Sequence, residues 1–183
     1  MHELTARQPK RVLLVEDDPG FAFLTKTTLE ERVEGVDVGD EHQSACICGK
    51  WIISCVDTLA KATDALRPAP DEFDVILLDM MLPDGWKEDA VRIIRNAAPD
   101  VPIVVQSGID DIELVSTLLL QGEISDYIVK GNSNSPRALK QAICHAIDFF
   151  HTKRAGVEFL NSPRVRAATK NINGEVSDAA RAG

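Results

Sequence analysis

Val75-Ile76-Leu77-Leu78-Asp79-Met80-Met81-Leu82-Pro83-Asp84-Gly85-Trp86 is the stretch on which the fold turns. Four consecutive apolar residues run into one acid, and a Pro-Asp-Gly turn follows. An apolar run of that length between turn signals reads as a strand buried on both faces. Asp79 then stands where a buried parallel strand ends. In open α/β sheets, ligands collect beyond the carboxyl ends of the strands. A carboxylate there is either a chemical group or a helix N-cap, and the rest of the chain has to decide.

Upstream, Arg11-Val12-Leu13-Leu14-Val15 repeats the buried-strand signature and ends in Glu16-Asp17-Asp18. Pro19 opens a helix over 19–32, with Phe23, Leu24, Thr27 and Leu29 as its core-facing stripe. Over 33–49 the pattern dissolves into Gly, Asp, Glu and Cys. That gap is long for a βα unit and reads as an insertion. Trp51-Ile52-Ile53-Ser54-Cys55-Val56 is the second strand. Asp57 or Thr58 caps a helix to about Leu66, which Pro68-Ala69-Pro70 ends.

Downstream of Asp79, the spacing predicts a helix near 86–98 that buries Ala90, Ile93, Ile94 and Ala97. Val101-Pro102-Ile103-Val104-Val105-Gln106 is the fourth strand and ends in Ser107-Gly108. A helix over 110–121 follows, terminated by Gly122. Asp126-Tyr127-Ile128-Val129 is the fifth strand, ending in Lys130-Gly131. Ser135-Pro136 opens a last helix, with Leu139, Ile143, Ile147 and Phe150 on one side, running to about Arg154. Five βα rounds make an α/β fold, a doubly wound five-stranded parallel sheet. The expected organisation is a flexible lead-in at 1–10 and one domain over 11–154, interrupted at about 33–49. A tail without a second domain occupies 155–183.

Composition narrows the function classes. The 183 residues are 44% hydrophobic, enough for a real core, and the net charge is −9. An acidic bulk surface argues against nucleic-acid contact, which calls for a basic stripe. The first ten residues are polar, without a secretory apolar core. No apolar run reaches the ~18 residues of a membrane span. The expectation is a cytoplasmic protein with no membrane contact. Of the four cysteines, Cys55 and Cys144 lie in apolar patterns and read as buried thiols. Cys46 and Cys48, with His42, offer three metal ligands without an obvious fourth, and loop thiols are the simpler reading.

The strand ends carry the chemistry. The first ends in Glu16-Asp17-Asp18, the third in Asp79, the fourth in Ser107 and the fifth in Lys130. The order 2-1-3-4-5 sets these ends side by side and leaves the second strand at the rim. Converging carboxylates repel one another unless a hard divalent cation neutralises them. Acids, one lysine and one hydroxyl make an Mg²⁺-assisted phosphoryl site, with a carboxylate as nucleophile. Each group alone has a blander reading: a helix cap, a turn serine, a solvated lysine, packing methionines. Their conjunction in this chain order is what points to chemistry.

Val15-Glu16-Asp17-Asp18, Leu78-Asp79-Met80-Met81-Leu82-Pro83-Asp84-Gly85, Ser107-Gly108 and Tyr127-Ile128-Val129-Lys130 together resemble a known family. It is the receiver domain of bacterial two-component response regulators. The resemblance spans about 10–150, with 33–49 unmatched. It implies the flavodoxin-like receiver fold and a phospho-accepting switch in a phosphorelay. By position, Asp79 takes a phosphoryl group from a phosphohistidine. Asp17, Asp79 and the Met81 main-chain carbonyl would hold Mg²⁺, with Glu16 acting through water. Ser107 would turn toward the phosphoryl group, and Lys130 would pair first with Asp79 and then with the phosphate. Tyr127 stands where an aromatic residue changes rotamer with Ser107.

The partners implied are a sensor histidine kinase or phosphotransfer protein, and downstream a protein or a second copy through the fourth and fifth helices. Nucleic acid and membrane are not expected as partners. Chemistry would be limited to the chain's own phosphorylation and hydrolysis, so it is not expected to be an enzyme. Met81 and Ile109 occupy the positions that flank an in-line water in receivers, and their apolar bulk implies a long-lived phospho-form. Three departures stand out: Gly131 where a proline is usual, an extra residue at Glu123-Ile124, and the insertion.

Two other readings are open. An Asp-nucleophile phosphatase acting on small molecules would need a second acid two residues after the nucleophile, where Met81 stands. A phosphorylation-independent receiver-like interaction module would be expected to lose the acids or the lysine, and here all remain.

Overall fold

Every residue of Val75–Asp79 is buried, as a central parallel strand requires. The computed structural model describes residues 9–32, 49–107, 112–130 and 136–160. In chain order the first elements are β1 (Lys10–Val15), α1 (Pro19–Glu30), β2 (Trp51–Val56), α2 (Leu59–Leu66) and β3 (Val75–Asp79). A two-stranded hairpin, β4 (Met81–Leu82) and β5 (Gly85–Trp86), leads into α3 (Glu88–Ala97). Then come β6 (Ile103–Ser107), α4 (Ile112–Gln121), β7 (Asp126–Val129) and α5 (Pro136–Leu160). The chain divides into two units, Met1–Ile147 and Asp148–Gly183. The first holds the sheet. Of the second, the described part is the end of α5, where Thr152 Oγ1 donates to the Asp148 carbonyl at 2.8 Å.

The sheet has five strands in the order β2-β1-β3-β6-β7, all paired parallel. The long strands therefore follow the expected 2-1-3-4-5 order, and the fold is the flavodoxin-like one. Edge position explains the mixed pattern of β2, where Trp51 and Ile53 are buried while Ile52 and Ser54 face water. One core face joins Leu13, Ile76, Leu78, Ile103 and Val105 to α2, α3 and α4. The other joins Leu14, Leu77, Val104 and Ile128 to Leu29 of α1 and to Leu139, Ile143 and Ile147 of α5.

Several expectations need correction. On α1, Phe23 and Leu24 are 71% and 57% exposed, and Thr27 is exposed as well. The docked stripe is Ala22-Thr25-Leu29, at three- and four-residue spacing. With apolar residues at 21, 22, 23 and 24, this helix offers no unique stripe, and the smaller side chains took the seat against the sheet. Trp86 lies in the hairpin rather than in α3, and Val91 is buried where Ile93 was expected, Ile93 being exposed. Cys55 is exposed at the sheet edge, while Cys144 is buried but disulfide-bonded. α5 runs to Leu160, past Arg154.

Gly122 ends α4 as expected. It has φ 76°, its N–H meets the Leu119 carbonyl and the Glu123 N–H meets the Leu118 carbonyl, the paired bonds of a Schellman motif. Five expectations lie outside the described residues: the lead-in at 1–8, the insertion with His42, Cys46 and Cys48, Gly108 and Ile109, Gly131 with Ser135, and the tail beyond 160. Among the described residues, no helix is long and apolar enough to cross a membrane.

Candidate functional site

The parallel registers align the strand ends. Val15 pairs with Leu78, Asp79 with Gln106, and Ser107 with Val129. Glu16, Asp79, Ser107 and Lys130 therefore reach one edge of the sheet, as the strand-end reading requires.

Asp18 is removed from the acidic run by its local role. Its Oδ1 accepts the Phe21 N–H at 2.7 Å, capping α1. Two acids of that run remain for chemistry. Glu16 is buried, Asp17 is exposed and Asp79 is buried, and one carboxylate oxygen from each lies within 4.8 Å of the other two. Such a donor set suits a hard divalent cation, which takes oxygen ligands.

Lys130 brings a positive charge to these acids. Its ammonium donates to Asp79 Oδ2 at 2.7 Å and to Glu16 Oε1 at 3.2 Å. Glu16 Oε2 is also 2.9 Å away, outside hydrogen-bond geometry. The Phe21 ring lies 4.7 Å from the same nitrogen, within cation–π range. Burial pushes the Glu16 carboxyl up to about 7; the Lys130 bond opposes this and the Asp79 charge adds to it. For Lys130, burial favours the neutral amine, but the bonds to Asp79 and Glu16 outweigh it and raise the pKa. One ammonium is thus shared between the two buried acids.

The segment after Asp79 is held in place by its own acids. The Met81 N–H donates to Asp79 Oδ1 at 3.1 Å, while the Met81 side chain is 59% exposed. Met81 pairs with Trp86 in the hairpin, and the Lys87 N–H donates to the Met80 carbonyl. Asp84, read from sequence only as a turn residue, accepts the Leu59 and Ala60 N–H groups at 2.8 and 2.9 Å. It caps α2 alongside the chain-local cap Thr58. Gly85 lets the hairpin come this close, since a Cβ there would meet Leu59 Cδ1 at 2.1 Å.

Tyr127 is half-buried against the α2/α3/α4 core face. Ser107 closes β6, its side chain outside the described residues. Beside the acids, a cavity of about 620 Å³ is lined by Asp17, Phe23, Lys26 and Lys61. Sequence reasoning missed three contributors: the direct Glu16–Lys130 pair, Phe21 under the ammonium, and the buried Gln106. Only Gln106 left a signal, as a polar residue closing an apolar run in step with Asp79.

Comparison with known proteins identifies the family. A family model described as the response regulator receiver domain matches residues 12–144. The chain is 34% identical over 130 residues to the DNA-binding response regulator MtrA of Mycolicibacterium smegmatis, covering 69% of this chain and 45% of that one. It is 32% identical over 123 residues to the cell cycle transcriptional regulator CtrA of Caulobacter vibrioides, covering 66% and 43%. Among solved structures, it resembles the receiver domain of sensor histidine kinase PA1611 from Pseudomonas aeruginosa PAO1. The TM-score is 0.52 at 21% identity, over 75% of this chain and 99% of that one, and a magnesium ion is described in that protein's active site cleft.

The chain spans less than half the length of these two regulators. One expectation is overturned here. Acidic composition argued against a nucleic-acid partner, yet MtrA is named as DNA-binding and CtrA as a transcriptional regulator. A net charge of −9 describes the surface of this stretch alone. It does not determine what a protein built around such a stretch binds.

Proposed function

Because the chain belongs to the response regulator receiver domain family, we propose that Asp79 is its phospho-acceptor in a two-component phosphorelay. The observation that carries this reading is the Asp79 carboxylate at the carboxyl end of the central strand, held by Lys130 at 2.7 Å beside two further acids. A carboxylate oxygen attacks phosphorus and forms an aspartyl phosphate, while the leaving group departs with its bonding pair. The donor would be a phosphohistidine.

The three carboxylates fit a divalent cation, and the burial that raises the proton affinity of Glu16 beside Asp79 supports that reading. Asp17, Asp79 and the Met81 main-chain carbonyl would hold Mg²⁺, with Glu16 acting through water. When bound, the ion neutralises phosphoryl oxygens and lets the acids stay ionised together.

Lys130 neutralises Asp79 before transfer and follows the charge onto the phosphoryl group after it. Ser107 would donate to a phosphoryl oxygen, and Tyr127 would respond by changing rotamer. No other chemistry is assigned to the site, so the chain would not act as an enzyme on a second substrate. The residue two after Asp79 is Met81, which gives no acid for leaving-group protonation of the kind a small-molecule phosphatase uses.

The test is direct. Incubated with Mg²⁺ and acetyl phosphate, the full chain should gain the mass of one phosphoryl group, and Asp79→Asn should gain none. A fully labelled Asp79→Asn chain refutes the assignment.

A further inference from the structure

Asp79 and Gln106 are neighbours in one row of the sheet, and Lys130 follows two residues after Ile128, the partner of Gln106 on the next strand. Side chains alternate between faces along a strand with a period of two. Leu14, Leu77, Val104 and Ile128 all lie in the core face shared with α1 and α5. Two positions on within their strands, Asp79 and Gln106 share that side, and Glu16 and Lys130, one residue past β1 and β7, meet Asp79 there. The order β1-β3-β6-β7 sets Gln106 between Asp79 and Lys130, and Asp79 and Gln106 are register partners. The lysine side chain therefore spans the width of β6, at its carboxyl end, to reach Asp79.

Hydrogen-bonding capacity is left over on this face. Gln106 is only 3% exposed, and its Oε1 has no hydrogen-bond partner among the described residues. A buried amide oxygen without a donor costs free energy that an apolar side chain would avoid. An ammonium has three N–H donors. Lys130 directs one to Asp79 Oδ2 and one to Glu16 Oε1.

Phosphorylation changes what this ammonium must do. With acetyl phosphate as donor, a bond forms between an Asp79 oxygen and phosphorus, the bond from phosphorus to the acetyl oxygen breaks, and acetate leaves with the electron pair. Negative charge then shifts from the carboxylate onto the phosphoryl oxygens, and Lys130 loses the shorter of its two hydrogen bonds. We infer that Gln106 is a positioning residue for Lys130. Its carboxamide oxygen takes one ammonium N–H as the phosphoryl group arrives and holds the charge in place through the transfer. This rests on the reading of Asp79 as acceptor.

The test compares the full chain with Gln106→Met, close in size and lacking the amide, using Mg²⁺ and acetyl phosphate. The labelling rate should fall about ten-fold, the size of one charge-assisted hydrogen bond. The Mg²⁺ concentration for half-maximal rate should stay the same, since the amide is not among the acids that would hold the metal. The unfolding midpoint without donor should hold or rise, because an unpaired buried amide has been removed. Equal labelling rates overturn the inference and leave the acceptor reading intact. A slower rate with a lowered midpoint also overturns it, since Gln106 would then be structural. A wild-type chain that takes up no phosphoryl group removes both readings at once.

Discussion

The Lys130 ammonium lies 2.7 Å from Asp79 Oδ2, although Lys130 follows Asp79 by 51 positions in the chain. It is also the cation that faces buried Glu16. Lys130→Met would leave both acids without their counter-charge. In metal-free buffer this should cost roughly 1–3 kcal/mol of stability, less than a fully buried pair because the lysine is partly exposed. Added Mg²⁺ should recover part of the loss. Urea unfolding with EDTA and with Mg²⁺ measures both, and unchanged midpoints would mean the pair holds nothing together.

Asp17 is exposed beside the two buried acids, without a role as a helix cap. Asp17→Ala should weaken Mg²⁺ binding sharply, and Glu16→Ala should weaken it less, because Glu16 already has Lys130 as a partner. Calorimetric titration ranks the two. The reverse ranking would show that the ion sits on Glu16 directly.

Asp84 bonds to the first two N–H groups of α2, at 2.8 and 2.9 Å. Burial would raise its pKa, but the N–H groups of Ala60 and Leu59 outweigh it and hold the carboxyl below the usual range. A folded-state pKa below the unfolded one gives stability that is full above the unfolded value, about 3.9, and is lost as pH falls through the folded value. Asp84→Ala should therefore cost about 1 kcal/mol at neutral pH, with the difference from wild type shrinking below pH ~4. Thermal unfolding of both chains from pH 7 to pH 3 checks this, and a gap that stays constant rules out the charged cap.

Met81 holds the position two after Asp79, its N–H fixed to Asp79 Oδ1 at 3.1 Å. Neither Met81 nor Ile109 carries a side-chain group to orient an attacking water. The aspartyl phosphate should persist, and Met81→Asn with Ile109→Glu should shorten its life. Loss of phosphate is followed after the donor is removed. Equal decay in both chains would show that water access at these positions does not set the lifetime.

The sheet and the make-up of the site follow from the amino-acid order. Four apolar residues in Val75–Leu78 and four in Val12–Val15 have to be buried on both faces, and only a central parallel strand does that. Once the strands are parallel and wound in this order, their carboxyl ends share an edge. Asp79 and Lys130 were therefore legible as neighbours from chain order alone. Gly122 as a helix terminator was legible too, because a left-handed φ of 76° at a helix end suits glycine whatever surrounds it.

What depends on close approach between distant segments was set by packing in three dimensions. Which side of α1 meets the sheet was open with four apolar residues in a row, and packing chose Ala22, Thr25 and Leu29 over Phe23 and Leu24. Asp18 became a cap while Asp17 stayed free of that duty, a difference set by one backbone turn. Asp84 reaches a helix 25 residues earlier, and Glu16 meets Lys130 across 114 residues. Neither pairing has a local signal, because a hydrogen bond between distant segments follows from sheet register and loop path. Local pattern reports only how a segment is buried.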